Sequence, residues 1–345
     1  MNPVLVEVMR GGALESVHRG SLAVLDADGG IVASLGDVER PIFPRSAVKL
    51  LQALPLIESG AADQLGLTDD ELALACSSHN GEELHRRTAA IMLAKVGLDS
   101  AVLECGAHWP SLDTATRAMA AAGQEPDALS NNCSGKHSGF LCLACAMHGR
   151  ADLRQYVRGY VQVDHPVMRE VTSALQAVTG FDPDSAPRGI DGCSIPTYGI
   201  ALRRLALGFA RIGTGTGLRD GHARAAVRLR RAIAGAPFMV AGSGRFDTRV
   251  MQQLGERVCC KVGAEGVFCA AFPTAGLGVA IKIDDGNNSR AAEIVMASVI
   301  ESILAPTGSD AETIRALSHP ALRNWNGIAV GGLRPASTMS ELRLG

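Results

Sequence analysis

Aromatic residues, basic blocks and long apolar runs are all scarce in this sequence, and each scarcity argues against a class of protein. Phe, Tyr and Trp make up 4% of the chain, so its core must be built from aliphatic side chains. The net charge is −2, and no basic block is interleaved with aromatic residues, which argues against nucleic-acid binding. No apolar run approaches a membrane span, and no signal-peptide pattern opens the chain. We therefore expect a cytoplasmic protein that binds neither nucleic acid nor membrane.

A disulfide framework is also missing. Nine cysteines are an odd number, and they are scattered along 345 residues, so most are expected to be small buried hydrophobic side chains. Cys142 and Cys145 form a C-x-x-C pair, but the apolar run 139–147 around them favours a core helix over a redox or zinc pair. The length is ample for one large domain or two interleaved ones.

The pattern of elements runs from strands to helices and back to strands. Strands are predicted over 4–9, 20–26, 30–35, 259–263, 266–272 and 276–283. Helical periodicity dominates from about 83 to 235, with predicted helices that include 136–149, 151–162 and 197–211, and it returns near 288–304. This order predicts an α+β protein whose antiparallel sheet is built from both chain ends, with flanking helices and a mainly helical middle region.

We predict that residues 1–345 form a single catalytic unit. The sheet part is placed at about 1–82 and 237–335, and the helical insertion at about 83–236. The last residues, 336–345, are predicted to be a flexible tail.

Ser46 and Lys49 are the first candidates for chemistry. Residues three apart on a helix share a face, so the amine of Lys49 could contact the hydroxyl of Ser46. Pro44 disfavours helical geometry at the residue before it and predicts that a helix begins here. A nucleophile in a first turn also has free backbone N–H groups beside it that can hold an oxyanion. Because this spacing occurs by chance in many helices, the pair alone does not establish catalysis.

Two further segments follow in the order of a known class of enzymes. Ser78 and Asn80 come after the apolar segment 72–76, and Lys261 opens a K-V-G sequence at a predicted strand. Class A β-lactamases and penicillin-binding proteins carry S-x-x-K, S-x-N and K-T-G in this order. A second Ser-Lys pair could relay a proton to a leaving amine. Val262 lacks the hydroxyl that those enzymes use at this position, which counts against recognition of a β-lactam carboxylate.

More narrowly, the sequence resembles the bacterial L-asparaginases of the Rhizobium etli inducible type, also called class 3 asparaginases. The resemblance is carried by five clusters spread over most of the chain, at 44–49, 77–82, 132–137, 191–196 and 260–266. It implies a serine-β-lactamase-like fold, usually a homodimer, that hydrolyses L-asparagine to L-aspartate and ammonia.

The same resemblance implies the site residues. It pairs Ser46 with Lys49 and Ser78 with Lys261, and it implies one zinc ion per chain, not directly catalytic, held by Cys133, Lys136 and Cys193 with Asp191 nearby. Spacing alone does not predict this metal site, since lysine is protonated at neutral pH and is a rare ligand. His137 is the more conventional ligand, although a thiolate pair with Zn²⁺ could deprotonate Lys136.

The expected substrate is a zwitterion, so its site needs both a cation and an anion. Arg45 is the candidate for the α-carboxylate, because a guanidinium donates two parallel N–H groups. Asp191 is the candidate for the α-ammonium or for a zinc-bound water that serves it. Asn80 and His137 are candidates for the lining of the substrate pocket.

Two alternatives remain open at this level. One is a related serine amidohydrolase, either a glutaminase or a penicillin-recognising enzyme, since one extra methylene is a modest energetic discriminator. The other is a non-catalytic zinc- or amino-acid-binding protein that keeps the fold as a scaffold, against which the intact Ser-Lys pairs count. The sequence also leaves open which serine is the nucleophile.

Overall fold

The computed structural model describes residues 1–340 and 342, and it confirms an α+β architecture with an antiparallel sheet. The strands are β1 (Val4–Arg10), β2 (Ala13–Asp26), β3 (Ile31–Leu35), β4 (Pro41–Ile42), β5 (Arg188–Ile190), β6 (Pro196–Tyr198), β7 (Ile200–Ala201), β8 (Cys259–Val262), β9 (Val267–Phe272), β10 (Leu277–Ile283), β11 (Ala321–Arg323) and β12 (Ala329–Pro335).

The α-helices are α1 (Lys49–Gln52), α2 (Leu54–Glu58), α3 (Ala61–Gln64), α4 (Asp69–Ala75), α5 (Glu83–Lys95), α6 (Asp113–Ala121), α7 (Ser134–His148), α8 (Leu153–Tyr156), α9 (Pro166–Thr179), α10 (Leu202–Thr214), α11 (Asp220–Gly235), α12 (Pro237–Ala241), α13 (Phe246–Leu254), α14 (Glu293–Leu304), α15 (Gly308–Ser318) and α16 (Ser337–Ser340). Short 3₁₀ helices lie at Arg45–Val48, Ser100–Val102 and Gly255–Arg257, and a π-helical turn lies at Asn288–Ala292.

Contacts within the chain divide it into two compact units. Unit 1 contains residues 1–47, 199–217 and the chain from Cys260 onward, and unit 2 contains 48–198 and 218–259. Residues 48–82 thus belong with the helical unit, whereas the sequence analysis placed them with the sheet.

Unit 1 is built on an antiparallel sheet of eight strands in the order β11-β12-β1-β2-β10-β9-β8, with β3 paired to β2. Strands from the two chain ends meet where β2 pairs with β10, as predicted, and they also meet where β1 pairs with β12. Helix α10 packs on β10 and β2. A Cβ at Gly278 would lie 2.1 Å from the carbonyl oxygen of Ala206, so this glycine allows the helix to lie directly on the strand.

Unit 2 is mainly helical, and its α7 is buried from Ser134 to Cys145. Helices α4 and α5 pack against α7. A Cβ at Gly135 would lie 2.4 Å from the carbonyl oxygen of Leu74, so this glycine lets the two backbones approach closely. The close approach brings the beginning of α7 next to the end of α4, and both of these ends carry polar residues.

Two predicted helices are wrong in extent, and two strands of the eight-stranded sheet were missed. In the helix predicted over 151–162 only α8 is α-helical, and turns follow it. The helix predicted over 197–211 begins at Leu202, because the residues before it form β6 and β7. Strands β11 and β12 were not predicted, since Gly331 and Gly332 resemble a turn. They form a strand because β12 pairs with β1, and a Cβ at Gly331 would lie 1.9 Å from the carbonyl oxygen of Met9.

The predicted flexible tail, 336–345, lies partly outside the described residues. Within them, Ser337–Ser340 form α16, and the backbone N–H of Ala336 donates to the carbonyl oxygen of Leu5 at 2.9 Å.

Candidate active site

Lys49 lies at the centre of a polar cluster inside unit 2. It is the first residue of α1, and its side chain is buried. Its Nζ donates to Ser77 O at 2.5 Å, to Ser78 Oγ at 2.9 Å and to Cys133 Sγ at 3.2 Å. Three acceptors match the three N–H donors of an ammonium group. The Lys49 amine is therefore in direct contact with a serine hydroxyl and a cysteine sulfur.

Ser78 is presented by the segment that follows α4. The last turn of α4 ends where Ser77 N–H donates to Leu74 O at 3.0 Å. The chain then runs along residues 240–241, with Ser78 N–H donating to Val240 O and Asn80 N–H donating to Ala241 O, both at 2.9 Å. These bonds hold the backbone on both sides of Ser78 and position its hydroxyl beside Lys49.

Cys133 lies where the chain enters α7. The side chain of Asn131 accepts the Cys133 N–H at 2.8 Å and thereby fixes this entry. The hydrogen bond from the Cys193 thiol lowers the pKa of Cys133 well below its usual range, and the positive charges of Lys49 and Lys136 act in the same direction. The same contact raises the pKa of Cys193. Of the two cysteines, Cys133 is therefore the one that gives up its proton more readily.

Lys136 extends the cluster along α7. It is buried, and its Nζ donates to Cys193 Sγ at 2.9 Å. Burial alone would lower the pKa of Lys136, but Cys193, Cys133 and Asp191 outweigh it and raise this pKa above its usual value. Cys193 and Asp191 reach Lys136 from the turn between β5 and β6, which pair as a hairpin. Two lysine and two cysteine side chains thus share one buried region of unit 2.

The predicted metal ligands Cys133, Lys136 and Cys193 therefore lie close together. Two thiols and an amine are donors that suit Zn²⁺, so the chemistry of this set fits the predicted ion. Within residues 1–340 and 342, no group of three side chains among His, Cys, Asp and Glu could hold a metal. Lys136 would consequently have to serve as the third ligand and give up its proton.

The two residues predicted to line the substrate pocket both form hydrogen bonds within the protein. His137 is buried, and its Nδ1 lies 2.6 Å from the Tyr160 hydroxyl. Its Nε2 has no hydrogen-bond partner among the residues that the structure describes. The amide nitrogen of Asn80 donates to Ser243 O at 3.0 Å, and its oxygen accepts from Arg245 at 3.2 Å. Both ends of the Asn80 amide thus bind the segment 243–245, and a contact between Asn80 and the substrate stays a prediction.

Unit 1 contains Ser46, Lys261 and Arg45. Ser46 lies in the 3₁₀ helix Arg45–Val48, one turn before the α-helix in which it was predicted. A Cβ at Gly263 would lie 2.8 Å from Pro44 O, so the glycine of the K-V-G sequence lets this part of the chain pack against the residue two before Ser46. Lys261 is buried, and its Nζ donates to the carbonyl oxygen of its neighbour Val262 at 2.8 Å.

Three of the five non-glycine residues with left-handed backbone in the described chain lie in the predicted site clusters. They are Arg45 (φ 48°), Ser194 (φ 75°) and Glu265 (φ 57°). Each such conformation costs about 1–3 kcal/mol and persists only where the surrounding structure holds it, which is common at functional sites. Arg45 and Glu265 also face each other within unit 1, with 3.9 Å between guanidinium and carboxylate.

Sequence reasoning missed three groups that form hydrogen bonds with the site residues. These are the carbonyl of Ser77, the side chain of Asn131 and the hydroxyl of Tyr160. The polar segments 77–82 and 130–139 were visible as unusual islands, but which atom meets which depends on contacts between distant parts of the chain. The predicted pairs Ser46–Lys49 and Ser78–Lys261 stay predictions.

A buried lysine held against a serine hydroxyl on an α+β scaffold is an arrangement that serine hydrolases with a lysine partner use. The family model for L-asparaginase II matches residues 6–335. The chain therefore belongs to the L-asparaginase II family, which supports an amidohydrolase with a small-molecule substrate.

None of the curated protein sequences matches this chain. Among solved structures, a β-lactamase from Mycobacterium bovis is similar at 14% identity with a TM-score of 0.41, covering 81% of this chain and 93% of that chain. This TM-score is too low to decide the fold, so the β-lactamase-like part of the fold prediction stays a prediction. Across the described residues, no helix combines the length and the apolar character needed to cross a membrane.

Proposed function

We propose that this protein hydrolyses L-asparagine to L-aspartate and ammonia, as an asparaginase of the Rhizobium etli inducible type. Membership of the L-asparaginase II family supports the substrate class. The observation that carries the proposal is the buried contact of 2.9 Å between Lys49 Nζ and Ser78 Oγ, with Cys133 on the same ammonium. A lysine in this position stabilises a serine alkoxide while it is charged, and it can accept the serine proton once it is neutral.

The reaction is an acyl transfer in two steps. A serine oxygen attacks the side-chain amide carbon of asparagine, and its proton passes to a lysine. Backbone N–H groups hold the oxyanion, and the proton is delivered to the nitrogen as the C–N bond breaks and ammonia leaves. Water then cleaves the β-aspartyl ester and regenerates the serine.

The two serines can be assigned to the reaction in two ways. In the first, Ser46 is the nucleophile with Lys49 as its base, and Ser78 and Lys261 relay the proton. The contact between Lys49 and Ser78 supports a second assignment, in which Ser78 attacks. Mass spectrometry of a trapped acyl-enzyme decides between them, since a β-aspartyl adduct on Ser78 would overturn the assignment to Ser46.

Substrate recognition is assigned to one cation and one anion. Arg45 binds the α-carboxylate, and Asp191 binds the α-ammonium. Asp191 is nearly buried beside Cys193 and Lys136, where a carboxylate is shielded from solvent and interacts strongly with a charged ligand. An unchanged KM for asparagine in Arg45→Ala would make Arg45 a structural residue.

One zinc ion per chain is part of the proposal, held by Cys133, Lys136 and Cys193. When bound, the ion would supply positive charge that orients Asp191 and a water for the substrate ammonium. Metal analysis of protein purified without added zinc tests this, with Cys133→Ser as the comparison. Stoichiometric zinc in the wild type and its loss in the variant are expected, and absence of metal from both would remove zinc from the proposal.

The central experiment measures ammonia release from L-asparagine and L-glutamine by the wild type, Ser46→Ala and Ser78→Ala. We expect the wild type to hydrolyse asparagine and both variants to lose this activity. Faster release from glutamine would favour a glutaminase, and saturable asparagine binding without ammonia would favour a binding protein. The proposed homodimer is tested separately, by the molar mass in solution.

A further inference from the structure

His79 is a buried histidine beside Ser78 that the proposed reaction does not use. Its ring makes two hydrogen bonds, because Gly81 N–H donates to Nδ1 at 3.0 Å and Nε2 lies 2.9 Å from Ser134 Oγ. Since Nδ1 accepts, Nε2 carries the ring hydrogen and donates it to Ser134. The Ser134 hydroxyl donates onward to Leu129 O at 2.9 Å, so each group in this chain has a partner.

These bonds connect two loops of unit 2. Besides the ring contact, the backbone N–H of His79 donates to Asn132 O at 3.2 Å. One of the connected loops carries Ser78, and the other carries Cys133. These are the two side chains that contact Lys49 Nζ, so the distance between the loops sets the geometry around the lysine.

Aromatic stacking holds the His79 ring from another side. Its ring stacks on His85 with 4.9 Å between centroids and 10° between planes, and His85 stacks on Phe238 at 4.7 Å and 10°. His85 Nε2 also lies 3.0 Å from Phe238 O. Phe238 lies two residues before Val240, whose carbonyl oxygen accepts the Ser78 N–H. The stack therefore closes a circuit of contacts that begins and ends at the Ser78 segment.

We propose that His79 is a positioning residue that holds Ser78 and Cys133 at contact distance from Lys49. It acts through its neighbours in the loop, and it is not assigned a proton transfer. Burial lowers the pKa of His79 well below its usual value, with the charges of His85 and Lys49 acting in the same direction. The ring consequently stays neutral and keeps one donor and one acceptor. The inference rests on the proposed function, because it concerns the serine and lysine of that reaction.

Two substitutions separate the hydrogen bonds of the ring from its packing. His79→Phe keeps an aromatic ring in the stack but loses both bonds, and His79→Gln restores an N–H donor toward Ser134. We expect His79→Phe to lower kcat for asparagine about 100-fold with KM nearly unchanged, since displacing reacting groups by about 1 Å costs this much. His79→Gln is expected to recover about tenfold of the loss. His148→Phe, which replaces a histidine stacked on Tyr156 at the far end of α7, is the matched control and is expected to stay near the wild-type kcat.

A structural readout keeps this inference separate from the proposed activity. Crystal structures of the wild type and the variants give the distances from Lys49 Nζ to Ser78 Oγ and Cys133 Sγ, whether or not asparagine is hydrolysed. Lengthening of either distance in His79→Phe supports the positioning role. Unchanged distances together with unchanged kcat would overturn it. If His79→Phe does not fold, Ser134→Ala removes only the partner of Nε2, and wild-type distances and kcat in that variant would equally overturn the role.

Discussion

The two halves of helix α7 are similarly buried, yet their side chains have opposite chemistry. At its beginning, Cys133 lies beside Lys49 and Lys136, and its pKa is lowered. Two turns further on, burial raises the pKa of the Cys142 thiol to about 12, and the neighbouring carboxylate of Glu71 acts in the same direction. Both are free cysteines with almost no exposure to solvent.

The difference teaches that burial alone raises the pKa of a thiol, whereas a neighbouring thiol donor and two lysines lower the pKa of a thiol that is equally buried. Desolvation raises the pKa of both thiols, but only Cys133 has a thiol donor and two lysines that outweigh it. Lys49 comes from α1, and Lys136 lies on α7 itself. The pKa of a cysteine on this helix is therefore set by the side chains that surround it.

The largest effect is expected from removing the Lys49 amine, which contacts both Cys133 and Ser78. Lys49→Met keeps much of the length of the side chain but leaves the thiol and the hydroxyl without their common donor. We expect asparagine turnover to fall by about 10²–10⁴-fold, the usual contribution of a positioned proton-transfer group. Steady-state ammonia release measures this. Lys282→Met, which removes a half-buried lysine of unit 1, is the control and should keep its turnover.

A pair of glycine substitutions compares the packing at two successive turns of α7. In Gly135→Ala the new Cβ would meet Leu74 O at 2.4 Å, and a backbone carbonyl moves only at high cost. We expect a loss of about 3 kcal/mol in the free energy of unfolding. In Gly139→Ala the Cβ would meet the Ala75 Cβ at 3.0 Å, and a gain in helix propensity of about 1 kcal/mol offsets part of the crowding. Urea unfolding of both variants measures this, and equal losses would contradict the expected ranking.

The pH dependence of stability should distinguish the two thiols by sign. Because the folded protein raises the pKa of Cys142 from about 9 to about 12, this thiol contributes its full stability below pH 9 and loses it as the pH rises toward 12. Cys142→Ala should therefore flatten the decline of the unfolding free energy in this window, by at most about 1.4 kcal/mol per pH unit.

Cys133 is the counterpart in that experiment. Its pKa is lowered in the folded protein, so in the metal-free protein its contribution is present above the ordinary thiol pKa and is lost as the pH falls. Cys133→Ser, made and compared in a Cys193→Ser background because Cys133 also raises the pKa of Cys193, should not flatten the decline between pH 9 and 12. Denaturant midpoints measured across this range check both variants, and a flattening in Cys133→Ser as large as that in Cys142→Ala would erase the distinction.

Much of the fold could be predicted from the sequence because it depends on local patterns. The strands around 4–9, 266–272 and 276–283 and the buried helix around Cys142 follow from short apolar runs bounded by turn residues. Strand β12 could not be predicted in this way, since its paired glycines become a strand only when β1 lies beside them. The same limit explains why residues 197–201 were mistaken for a helix, because β7 forms only through its pairing with β4.

The sequence by itself determined the order of strands and helices, the clusters that resemble an asparaginase family and the residues able to do chemistry. Those properties depend on residue type and on spacing over a few positions. Only the tertiary structure decided that Lys49 meets Ser78 and Cys133, which lie 29 and 84 residues away along the chain. It also decided that the pKa of Cys133 is lowered and that of Cys142 is raised. Such choices depend on which distant groups share a low-dielectric interior, and no local pattern in the chain encodes that proximity.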